Sequence, residues 1–140
     1  MRRRVLIVGA AMAYGLALST ADAGVTQDNF PPKTTADLVA LCTAQQQDPL
    51  APAAVNFCQG FAEGAVEIVL SYSAAGPQSH RPFCLPAPSP SLDQAAKDFA
   101  SWAGSDPSRL QKPAAVGLIS YLIDRYPCPH EDKTPRHSHG

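Results

Sequence analysis

The sequence predicts an all-α protein, a small four-helix domain of two disulfide-stapled helical hairpins, and three observations carry that prediction. The four cysteines stand at mirrored positions: Cys42 and Cys58 lie eight residues either side of Leu50, and Cys84 and Cys128 lie twenty-two either side of Asp106. Apolar residues recur at helical spacing in four stretches separated by proline-rich punctuation. Ahead of both comes a segment with the form of an export leader, which would put the cysteines in an oxidising compartment.

In an antiparallel helix pair, residues equidistant from the turn lie side by side, and a disulfide needs its Cα atoms within about 7 Å. The mirror centres fall in turn-like stretches, Asp48-Pro49-Leu50-Ala51-Pro52 and Ser105-Asp106-Pro107-Ser108. Four cysteines allow three connectivities. The spacing favours the nested pairs Cys42–Cys58 and Cys84–Cys128, whereas the alternatives would cross-link the two hairpins.

Taken in order, the chain begins with Arg2-Arg3-Arg4, the apolar run Val5 to Leu18, and Ala21-Asp22-Ala23, a small-x-small peptidase site. Cleavage after Ala23 would leave Gly24 as the mature terminus. The fourteen-residue apolar run falls short of a membrane span, which needs about 20 residues. No cysteine lies near the cleavage point, which argues against a lipid anchor. Residues 1–23 are therefore read as a signal peptide, residues 24–129 as the domain, and 130–140 as a disordered tail without a packing face.

Residues 24–33 carry little periodicity and read as an extended arm. Thr34 or Thr35 can cap a first helix, with Asp37 in its first turn and Leu38, Val39, Leu41 and Cys42 apolar, ending near Gln46. The second helix begins around Pro52, a residue tolerated in a first turn. Its apolar set runs from Val55, Phe57 and Phe61 to Ile68, Val69 and Tyr72, a face broad enough to predict the central core helix. Gly60 and Gly64 interrupt it at about 1 kcal/mol each, which predicts close approach by another helix or, as the sharper reading, by a ligand or partner backbone.

From Ser73 to Pro90, five prolines exclude regular structure from most of the segment. Ser91 and Gln94 have the spacing of a capping box opening a third helix, with Leu92, Ala95, Phe99 and Trp102 as its apolar stripe. A last helix runs from near Pro113 to about Arg125, with Ala115, Val116, Leu118, Ile119, Leu122 and Tyr126 apolar, and Pro127 ends it beside Cys128.

Composition excludes several functions. Without the leader, eight Lys/Arg stand against eleven Asp/Glu, a weakly acidic balance that argues against nucleic acid or an anionic membrane as partner. An even number of cysteines without a Cys-x-x-Cys pair reads as disulfides before zinc or thiol redox chemistry. His80 is the only histidine outside the tail, and no Gly-x-Ser-x-Gly turn is present to offer a nucleophile. Glu63 and Glu67 stand one helical turn apart and read as a solvated helix edge; His130, His137 and His139 read as incidental residues of the tail. No catalytic residue, metal site or cofactor is predicted, and the chain reads as a non-enzyme. The loop Gln78-Ser79-His80-Arg81, polar and held at one end by Cys84, is the candidate partner contact.

Four stretches fit together as a family pattern: Leu38 to Cys42; Phe57-Cys58-Gln59-Gly60-Phe61-Ala62-Glu63-Gly64; Phe83-Cys84-Leu85-Pro86; and Tyr126-Pro127-Cys128. In order and spacing the chain resembles the Tai/Rap family of immunity proteins, which protect Gram-negative bacteria against peptidoglycan amidases delivered by type VI secretion. The resemblance covers residues 34–128 and implies a periplasmic all-α protein with two disulfides, often dimeric, that blocks a cognate amidase by binding it. The expected partners are that effector and a second copy of the chain. The alternative is a periplasmic binding or scaffold protein that reuses the fold for another partner. The tail beyond Pro129 inherits nothing from the resemblance.

Overall fold

The first helix starts where its capping residues dictate. In the computed structural model, which describes residues 24–74 and 81–129, the Asp37 N–H donates to the Thr34 hydroxyl at 3.2 Å and the Thr34 N–H donates to Asp37 Oδ2 at 2.9 Å. This capping box satisfies amide groups that a helix start leaves unpaired, and it opens α1, Thr35–Cys42. The helix stops short of Gln46 because the Thr43 hydroxyl turns back to donate to the Val39 carbonyl at 2.8 Å, where Thr43 forms the C-cap. The leader (1–23), the tail (130–140) and residues 75–80 lie outside the described residues.

Four further helices complete the fold: α2 (Ala51–Ala74), α3 (Leu92–Gly104), α4 (Pro107–Leu110) and α5 (Ala114–Arg125). No strand is present among the described residues. The all-α, disulfide-stapled class is as predicted, with one helix more than the sequence suggested. The extra helix, α4, is a single turn in place of the expected Asp106-Pro107 turn. Asp106 accepts from the Ser108 N–H at 2.9 Å as its N-cap, and Pro107 sits in the first turn. It carries Arg109 back over α3: the guanidinium lies 4.2 Å from the centre of the Trp102 ring and donates to the Trp102 carbonyl at 2.7 Å. Ser91 caps α3, accepting from the Gln94 N–H, but the expected capping box is only half made, because the Gln94 side chain donates forward to Asp98 at 2.7 Å.

The centre of the fold is α1, not α2, which corrects the sequence reading. Eight residues suffice because α1 packs against α2, α3, α4 and α5 at once. It also divides the core in two. Leu38 joins Phe83, Phe99, Leu118 and Leu122 on one side, and Leu41 joins Val25 and Ala54 on the other. The longest helix, α2, fully buries only Ala51 and Ala54. Phe57, Ile68 and Tyr72 remain 38%, 59% and 80% exposed, on the side of α2 turned away from the core. Periodicity reported an apolar face correctly, but among the described residues Phe30 meets it, edge-on to Phe57 at 5.6 Å between ring centres, while Ile68 and Tyr72 stay exposed.

Close helix approach occurs at a glycine that sequence reasoning passed over. A Cβ on Gly117 would stand 2.9 Å from the Thr35 Cβ, whereas a Cβ on Gly60 or Gly64 would meet nothing within 4 Å. The expected approach of another helix to Gly60 and Gly64 is therefore absent among the described residues. The Gly117 contact locks the starts of α1 and α5 together. Thr35 N–H donates to the Lys112 carbonyl at 2.8 Å, Ala114 N–H donates to the Lys33 carbonyl at 3.1 Å, and the buried Thr35 hydroxyl also donates to Lys112. That register turns Gly117 and Tyr121 inward and leaves Val116, expected in the core, half exposed.

Both disulfides have the nested connectivity, Cys42–Cys58 with Cα atoms 5.1 Å apart and Cys84–Cys128 at 4.8 Å. The first joins the end of α1 to α2. The second joins the two non-helical segments that flank the α3–α5 hairpin, so the mirror rule holds even beyond the helix ends. The arm also departs from expectation, since it holds a 3-10 turn at Gln27–Asn29 and buries Val25.

Candidate partner-binding surfaces

The predicted contact loop is described only at its end. Gln78, Ser79 and His80 lie outside the described residues, and Arg81 is exposed. The segment just after Arg81 is firmly anchored. Phe83 is fully buried in the main core, the Cys84 N–H donates to the Tyr126 carbonyl at 2.8 Å, and the Cys84–Cys128 bond ties the segment to the end of α5. Arg81 thus stands at the edge of a rigid base, where binding costs little ordering entropy.

The second surface is the outer face of α2. Ala53, Phe57, Gly60, Gly64, Ile68 and Tyr72 recur at intervals of three and four residues along one stripe, all of them exposed. Glu63 and Glu67 flank it. Each accepts from a side chain four residues away, Gln59 Nε2 at 3.0 Å and Ser71 Oγ at 3.5 Å respectively, so they are the solvated edge of a helix and not a paired acid and base.

The third is a groove of about 660 Å³ between the end of α1, the first half of α2 and the start of α3. Val55 and Leu92 stand exposed at its rim, Phe99 and Tyr121 line its inner wall, and the first disulfide forms part of its side. An exposed Lys97–Asp93 ion pair of 2.7 Å borders it. Tyr121 is 3% exposed, and its hydroxyl has no hydrogen-bond partner among the described residues. Burial pushes its pKa above the ordinary phenol value, so the hydroxyl stays protonated at neutral pH.

Among the described residues, none of the three surfaces carries a reactive constellation. All four cysteines are paired. Among the described residues, no group of three or more His, Cys, Asp or Glu could hold a metal ion, and no helix is long and apolar enough to cross a membrane. These surfaces can present shape and apolar area to another molecule.

Compared with known protein families, residues 34–128 match the model of the Rap1a immunity proteins. The chain belongs to the Rap1a immunity protein family. The match runs from the Thr34 cap of α1 to Cys128 of the second disulfide, the same span that the four sequence stretches marked. No curated protein and no solved structure gives a match. Membership of the Rap1a immunity family is membership of a class that acts by binding an effector, generally without catalysis and typically in the periplasm. Sequence reasoning missed the groove and the Thr35–Gly117 lock. Both arise from residues far apart in the chain, and no local pattern announces them.

Proposed function

We propose that this chain is a periplasmic immunity protein that binds a type VI secretion peptidoglycan amidase and inhibits it sterically. The observation that carries the reading is the family match over residues 34–128, which contains both disulfides and every α-helix of the described residues. The leader read at residues 1–23 supplies export to the compartment where such an effector meets its substrate. The Gln78–Arg81 loop, adjoining the base fixed by Phe83 and Cys84, is the segment proposed to enter the amidase cleft.

A second copy is proposed to cover the outer face of α2. The stripe is self-complementary about residue 62: in an antiparallel two-fold crossing, Phe57 faces Ile68, Gly60 faces Gly64 and Ala53 faces Tyr72. Isologous contacts require a patch of this kind, and the glycines allow the helix axes to come near. Light scattering should report a dimer that Ile68→Lys converts to monomer.

Immunity is tested by directing a candidate cognate amidase to the periplasm, with and without the chain. Lysis is expected to be suppressed only when the chain is present. Equal lysis in both cultures would overturn the proposal, as would hydrolysis of peptidoglycan by the purified chain.

A further inference from the structure

Asp48 is a carboxylate held in place by backbone donors, with no cation beside it among the described residues. Its Oδ2 accepts from the Val25 N–H at 2.7 Å, and its Oδ1 accepts from the Leu50 N–H at 2.9 Å. None of the ion pairs among the described residues includes it. Of the two donors, one stands at the approach to α2 and the other on the arm. The arm is pinned because Val25 is buried against Leu41 and Ala54. Gly24 lies immediately against the carboxylate, where a Cβ would come within 2.7 Å of Oδ2. Glycine is the residue that lets backbone and carboxylate approach so closely, and Gly24 is the residue that leader removal would expose.

We propose that Asp48 is the binding site for the chain's own mature α-ammonium, created at Gly24 when the leader is removed. This rests on the export reading under the proposed function. Water adds across the Ala23–Gly24 peptide bond: the carboxylate leaves with the leader, and the nitrogen of Gly24 gains protons to become an ammonium. Before cleavage that nitrogen is a neutral amide with a single proton to donate. After cleavage it is a cation with three, beside an acceptor already fixed by two backbone donors. A charge-assisted hydrogen bond of this kind is roughly twice as strong as a neutral one. The pair ties the arm to the approach to α2 and holds Val25 in the smaller core. The fold then reaches full stability only after processing, on the side of the membrane where an effector would be met.

The test uses protein exported and processed by cells. Intact mass first reports the terminus. Loss of residues 1–23 is expected, and any other terminus overturns both the cleavage position and the lock. Thermal unfolding then compares wild type and D48N, each with the α-amine free or acylated near neutral pH, where that amine is more reactive than lysine because its pKa is lower. Acylation is expected to lower the Tm of wild type by about 4 °C and to leave that of D48N unchanged. Equal shifts in the two backgrounds, with the terminus at Gly24, overturn the lock while leaving the export reading intact. Should D48N fail to fold, NMR titration of glycine-labelled wild type decides: a Gly24 amine pKa clearly above the ordinary range of about 7.7 to 8.0 supports the pair, and one within or below that range overturns it.

Discussion

The shortest of the major helices and the longest divide the work of this protein in opposite proportions. Helix α1 spans eight residues and buries Thr35, Leu38 and Leu41 completely, whereas α2 spans twenty-four and fully buries two alanines. The two are bonded together by Cys42–Cys58. The difference teaches that an apolar stripe marks a surface meant to be covered without saying by what. For α1 the cover is α2, α3, α4 and α5; for the outer stripe of α2 the described residues leave Ile68 and Tyr72 exposed, and a second copy is the cover proposed. A family that acts by binding needs such an unfilled face, and α2 is long enough to supply one while its other side holds the fold.

The contrast breaks most severely if the staples are opened. Loop-closure entropy assigns about 3 kcal/mol to the Cys42–Cys58 loop and about 4 kcal/mol to the longer Cys84–Cys128 loop. Reduction should therefore remove much of a stability expected to total about 5 to 15 kcal/mol, seen as a large fall in Tm. Replacing only Cys84 and Cys128 should cost more than replacing only Cys42 and Cys58.

Core truncation separates the two helices more directly. Leu38→Ala, at a fully buried site, should destabilise by about 2 to 5 kcal/mol in urea titrations. Ile68→Ala on α2 should leave monomer stability within about 0.5 kcal/mol and weaken self-association instead. If the two cost the same, α2 is a core helix after all.

The glycines give a finer test, because they carry opposite expectations. Gly117→Ala drives a methyl into Thr35 and should cost about 1 to 3 kcal/mol by overpacking. Gly60→Ala enters open space and should stabilise the monomer by up to about 1 kcal/mol, since alanine is the better helix former.

The smallest effect concerns the start of α1. Burial of Asp37 opposes its ionisation, but hydrogen bonds from Thr34, Asn29 and Lys33 outweigh burial and hold its pKa below the ordinary 3.8. A depressed carboxylate pKa contributes stability that is fully present above its unfolded value and is lost as pH falls through the folded one. Acid titration of wild type should therefore show a stability loss below about pH 4 that is reduced in Asp37→Asn. Thr34→Ala should cost about 1 kcal/mol through the lost cap.

Much of this architecture is legible in the chain because its causes are local or arise from simple symmetry. Thr34 with Asp37 forms a full capping box and Ser91 caps α3, as their spacing suggests, although Gln94 turns to Asp98 and does not return to Ser91. The mirrored cysteines identified their partners because antiparallel packing pairs residues equidistant from a turn. The sequence stretches around those cysteines marked the same span that the family match covers. The contact loop shows the limit of such reading, since polarity and a nearby staple nominate Gln78–Arg81 without placing it against a partner.

By itself, then, the sequence determined the helical class, the caps, the staples and the family, all of which depend on short spacings or on a symmetry that survives without coordinates. Only the tertiary structure decided which helix is the centre, which glycine is crowded and which apolar face is left open. Those outcomes depend on the register in which Thr35 meets Gly117 and on how α3 and α5 close over α1. Periodicity describes one helix at a time, whereas burial is a property of how several meet.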